Sequence, residues 1–145
     1  MTVTRRKARE RALCALYQID VMDGFSNPDI AAALSLPDDV AHQDRFAEIL
    51  VRGVISHLSY LDDLIKRCST NWKIERMTYL DRNILRIAAF EMCFLPEIPE
   101  PVSINEAIEI SKIYGSEQSS RFINGVLNRI KDEIAASKEA KSSNE

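Results

Sequence analysis

Apolar residues recur every three or four positions along this chain, and no segment shows them alternating. Only a helix can bury a stripe of that period on one face, because a strand sends successive side chains to opposite sides. The chain is therefore expected to be all-α. Ala8, Ala12, Ala15, Leu16 and Ile19 form the first stripe, in a helix from about Arg5 to Met22 that Gly24 stops. Phe46, Ile49, Leu50, Gly53 and His57 form the next, in a helix that opens near Asp38 and Asp39. Leu80, Ile84, Ile87, Ala88 and Leu95 follow, and Ile123, Val126, Leu127, Ile130 and Ile134 mark the last helix, from about Gln118 to Ala136.

Punctuation residues set the boundaries. Asn27-Pro28 and Pro37 bracket a short helix over 28–36. Three pairs have the spacing of an N-cap and its third residue: Ser59 with Asp62, Thr78 with Asp81, and Ser103 with Glu106. They predict helices from Tyr60 to about Arg67, from Thr78 to about Leu95, and from Ser103 to Gly115. Residues 69–77 read as a linker anchored by Trp72 and Ile74, and the prolines between Pro96 and Pro101 exclude a helix there. The sum is a compact bundle of about seven helices in two helical subdomains. It forms one domain over residues 1–136, with a disordered polar tail over 137–145.

A chain of 145 residues has room for one substantial core. It has no basic start followed by an apolar segment and no apolar run long enough to span a bilayer, so neither a leader nor a membrane is expected. Cys14, Cys68 and Cys93 are odd in number and far apart, which favours reduced thiols in a cytoplasmic protein over a disulfide frame or a zinc site. Two histidines, His42 and His57, without spaced ligand partners give no metal site. There is no Gly-rich phosphate loop, no nucleophile elbow and no other catalytic constellation, and no cofactor is expected.

The net charge of −3 hides an asymmetry: residues 1–11 carry +4 and the remainder −7. A basic arm on an acidic body suits a focused anionic partner such as a phosphate backbone. Arg5, Arg6, Lys7, Arg9 and Arg11 crowd a helix N-terminus, where cations oppose the macrodipole. Arg6, Glu10, Leu13 and Tyr17 line one flank of the first stripe, and cations leading to an aromatic are what single-stranded RNA recognition uses. A solvated basic start fits the same pattern. Phe122, beside Arg121, lies about 100° off the last helix's stripe, where it can stack on a base or pack as a rim residue. Glu91 falls inside its stripe and needs hydrogen-bond donors or an arginine. Gly53 and Gly125 inside helices suggest close helix–helix approach.

Residues 5–20 (RRKARERALCALYQID), 80–92 (LDRNILRIAAFEM) and above all 102–130 (VSINEAIEISKIYGSEQSSRFINGVLNRI) resemble the NusB family. The resemblance implies binding rather than catalysis: pairing with ribosomal protein S-ten (NusE), recognition of single-stranded boxA RNA in nascent ribosomal leaders, and suppression of termination by the RNA polymerase elongation complex together with other Nus factors. It implies RNA contacts at Arg5, Arg6, Lys7, Arg9, Tyr17 and Phe122, with Arg121 adjacent, and a ribosomal-protein contact at Asp81. The family often has Glu at the position of Asp81, and relatives carry an acid where this chain has Gln118. Two other readings stay open here: a NusB-like domain of the kind that precedes an RNA cytosine methyltransferase, and a helical module that associates as a homodimer.

Overall fold

The computed structural model describes residues 4–26, 33, 45–69 and 73–143. Among them all regular structure is helical: α1 (Arg5–Asp23), α2 (Arg45–Ser56), α3 (Leu58–Cys68), a short 3-10 turn (Ile74–Arg76), α4 (Tyr79–Phe94), α5 (Glu100–Tyr114) and α6 (Glu117–Ser143). Of the helix expected over 28–36 only Ala33 is described, and the start expected at Asp38 and Asp39, His42 and the anchor Trp72 lie outside the described residues.

Helix α4 is the axis of the bundle, and α1, α2, α3, α5 and α6 all pack on it. It is buried from Asp81 to Met92 on nearly every side, not along a single stripe. Around it the core is filled by fully buried side chains such as Leu16, Leu50, Leu61, Ile65, Leu85 and Leu127. Each contributes about 1.5–3 kcal/mol relative to exposure.

The first and last stripes lie where the period puts them. Ala8, Ala12, Ala15, Leu16 and Ile19 are buried, as are Ile123, Val126, Leu127 and Ile130, while Ile134 is half-buried. Gly24 ends α1 in the left-handed region at φ 60°, where glycine carries no Cβ penalty. The stripe of α2 is shifted from its expected place: Ala47, Leu50, Val51 and Val54 face inward, and Ile49 is exposed.

Two of the three expected capping boxes are something else. Thr78 does cap α4, its Oγ1 accepting from the Asp81 amide at 3.0 Å. Ser59 instead lies inside α3, which starts at Leu58, and Asp62 accepts two hydrogen bonds from Arg86. Ser103 is buried in α5, which begins three residues earlier because Pro101 is tolerated in a first turn. Its hydroxyl donates to Glu91 at 2.9 Å, and Glu106 reaches Arg6.

Helix α6 runs seven residues past Ala136, through SKEAKSS, so the expected polar tail is helical as far as Ser143. Alanine, lysine and glutamate there are good helix formers that extend an existing helix at no nucleation cost. Gly53 does mark a close approach, since a Cβ there would fall 2.0 Å from the Phe90 ring; Gly125 does not, its nearest neighbour being an Arg129 nitrogen at 4.0 Å.

Candidate nucleic-acid interface

The arm is helical from Arg5. Thr4 caps it, Oγ1 accepting from the Lys7 amide at 3.2 Å, and no acid in the first turn offsets the dipole. Turning 100° per residue, the helix sends its cations in different directions. Arg9 enters the core, only 4 % exposed, and donates to both Glu91 carboxylate oxygens through Nε and Nη2. The guanidinium is thereby turned inward, away from the exposed flank. Glu91 is the structural carboxylate that its place in the stripe implied. Arg5 is exposed and lies 4.1 Å over the Phe46 ring of α2. Arg6 turns to α5, Nε donating to Glu106 Oε2 at 2.6 Å. Lys7 is largely exposed, with Glu10 3.5 Å away. Arg6 and Lys7 therefore remain on the flank that leads to Tyr17.

That flank opens on a cleft of about 350 Å³ lined by Leu13, Cys14, Tyr17, Leu80 and Tyr114. Tyr17 and Tyr114 are each nearly half exposed. Tyr17 also meets Tyr79 edge-on, with 5.9 Å between centroids, and the Arg82 guanidinium lies 4.5 Å over the Tyr79 ring. The Tyr114 phenol titrates above its ordinary range, through partial desolvation first and then the neighbouring Glu10 carboxylate, with which it hydrogen-bonds. The cleft thus has an apolar floor and aromatic walls, suited to a planar ring.

Asp81 is turned inward. Only 9 % exposed, its Oδ2 accepts from Ser119 Oγ at 3.2 Å, joining the start of α4 to the first turn of α6. Its Oδ1 is buried with no hydrogen-bond partner among the described residues, and burial raises its pKa against the lowering effect of the Ser119 and Thr78 hydrogen bonds. Phe122, one turn beyond Ser119, is half-buried against the core, and Arg121 beside it is exposed. Among the described residues no group of three or more His, Cys, Asp or Glu is placed to hold a metal, and no helix is long and apolar enough to cross a membrane.

The model of the NusB family matches residues 6–132. The chain belongs to the NusB family. It is 47 % identical over 133 residues to the transcription antitermination protein NusB of Bacillus subtilis, covering 92 % of this chain and 98 % of that one. It is 45 % identical over 130 residues to its counterpart in Myxococcus xanthus, covering 87 % and 93 %. Its fold matches NusB of T. maritima with a TM-score of 0.80 and 38 % identity, over 92 % and 94 % of the two chains. A further match, with a TM-score of 0.74 and 26 % identity over 89 % and 96 %, is a crystal structure of the antitermination factors NusB and NusE in complex with double-stranded RNA.

Within this NusB fold, sequence reasoning missed Tyr114, Tyr79 and Glu106 as parts of the flank. Tyr114 carried a signal: a large aromatic directly before the helix-ending Gly115 has no further turn to pack on. Arg9 carried one too, standing three and seven residues before Ala12 and Leu16, on the inward face.

Proposed function

We propose that this chain is an RNA-binding transcription antitermination factor and not an enzyme. It pairs with NusE, and the pair binds the single-stranded boxA element of nascent ribosomal leader RNA. The complex joins the RNA polymerase elongation complex through other Nus factors and suppresses termination, which places its work in the cytoplasm. Family membership supports the class of activity, and the solved NusB–NusE–RNA structure supports the pairing.

The single observation that carries the RNA reading is the cleft between Tyr17 and Tyr114 with Arg6 and Lys7 on its flank. In a duplex the bases are stacked on one another, whereas in a single strand a base is free to enter an aromatic cleft. Arg6, Lys7 and the exposed Arg5 and Arg121 hold backbone phosphates, and Tyr17 and Phe122 offer rings. Asp81, largely buried, serves the NusE side by bracing the α4 start against Ser119.

Titrating labelled boxA RNA across a salt series tests this. Arg6→Ala with Lys7→Ala weakens binding and flattens the dependence of log affinity on log salt, by up to about 0.7 per lost phosphate contact on a single strand. An unchanged slope moves the RNA to another face.

A further inference from the structure

We propose that Glu106 sets the RNA affinity of this face by competing with phosphate for Arg6. The inference rests on the reading of the flank as an RNA surface. The Arg6–Glu106 pair is short, at 2.6 Å, and lies at the rim, with the arginine side chain 42 % and the glutamate side chain 20 % exposed, so an incoming polyanion reaches it. A guanidinium donating to a carboxylate at that distance makes the same kind of charge-assisted bond that it makes to a phosphate. Glu106 dominates the surroundings that hold Arg6 charged, first by the hydrogen bond and then by its charge, and Glu109 and Glu10 add to the same field. Lys7 likewise has Glu10 within 3.5 Å.

In the free protein the Arg6 charge is therefore already met by a carboxylate through Nε. A phosphate that takes Arg6 gains less for that reason, and the displaced Glu106 is left facing a second anion until it takes a cation from solution. Two consequences follow. RNA affinity is lower than the +4 charge of the arm indicates, and its salt dependence is shallower, because one cation is taken up while the RNA releases several. Glu106 is then a brake that leaves charge attraction alone too weak and makes binding depend on ring and partner contacts.

Anisotropy titrations with a labelled single-stranded boxA RNA at several salt concentrations test this, using the intact chain, Glu106→Gln, Glu106→Ala, Arg6→Ala and the Arg6→Ala/Glu106→Gln pair. Glutamine keeps an acceptor for Arg6 and removes only the charge. Glu106→Gln is expected to tighten binding about two- to five-fold at low salt, the range that an exposed ion pair supplies, and to steepen the salt slope. Glu106→Ala tightens it as well, and the gain disappears in the Arg6→Ala background. Unchanged or weaker binding by both Glu106 variants, with Arg6→Ala still weakened, overturns this proposal and leaves the RNA face standing. Unchanged binding by Arg6→Ala overturns both.

Discussion

Arg9 of α1 grips Glu91 of α4 through two parallel hydrogen bonds, Nε to Oε2 at 2.8 Å and Nη2 to Oε1 at 2.6 Å, with both side chains buried. Ser103 completes the carboxylate's shell from α5, so one buried charge pair ties three helices together. Arg9→Ala strands Glu91 in the core and is expected to cost about 3–5 kcal/mol of folding stability. Denaturant unfolding reads that loss, and Arg9→Met with Glu91→Leu recovers much of it. A loss below about 1 kcal/mol would mean that Glu91 finds another donor.

Asp20 gives acid sensitivity a definite sign. Burial alone would raise its pKa, but hydrogen bonds from Arg82 and Asn83 and the charges of Arg86 and Arg82 outweigh it and hold the carboxyl below its ordinary value. Arg82 donates to it at 2.6 and 2.7 Å, and Asn83 and Arg86 each at 3.0 Å. A folded-state pKa below the unfolded one contributes stability that is present above the unfolded value, near 4, and is lost as pH falls through the folded value. Asp20→Asn is therefore destabilising at pH 7, and the gap from the parent narrows on acidification below about pH 4. A gap independent of pH would remove Asp20 from the account.

The long helices were legible because a period of 3.6 fixes which residues must be covered. The Thr78–Asp81 cap was legible because its hydrogen bond is local. Ser59–Asp62 and Ser103–Glu106 share that spacing, yet Asp62, Ser103 and Glu106 bond to Arg86, Glu91 and Arg6, 24, 12 and 100 residues away. Spacing carries no information about partners so distant. The same limit applies to the arm. Its charge was visible at once, but how many cations face outward depended on where Glu91, Phe46 and Glu106 came to rest.

Gly53 lets α2 lie against Phe90 of α4, and a Cβ there would sit 2.0–2.6 Å from three ring carbons. Gly53→Ala gains helix propensity worth about 1 kcal/mol but overpacks the contact, so a net loss of about 1–2 kcal/mol is expected. Phe90→Leu in the same chain relieves the clash. Thermal unfolding of the single and double variants checks it, and a more stable Gly53→Ala would contradict the contact.

Asp81 has the opposite sign from Asp20. Burial raises its pKa, so its contribution to stability is fully present below the unfolded value and is lost as pH rises through the folded one. Asp81→Asn, which still accepts from Ser119, is expected to raise the thermal midpoint at pH 7, with the gain fading as pH falls toward 4. If Asp81 braces rather than touches NusE, Asp81→Asn binds NusE normally while Asp81→Lys does not. Titration calorimetry with purified NusE reads both, and equal loss in the two variants would make the carboxylate a direct contact.

A titration of labelled single-stranded boxA RNA, with the chain alone and with equimolar NusE, tests the proposed interface most directly. Binding is expected in both cases and is tighter with NusE. Tyr17→Ala weakens it by about 5- to 150-fold, the loss of one base stack, while the thermal midpoint stays within a few degrees because that ring is 44 % exposed. Equal affinity for Tyr17→Ala and the parent chain, or no binding even with NusE present, would contradict the proposed interface.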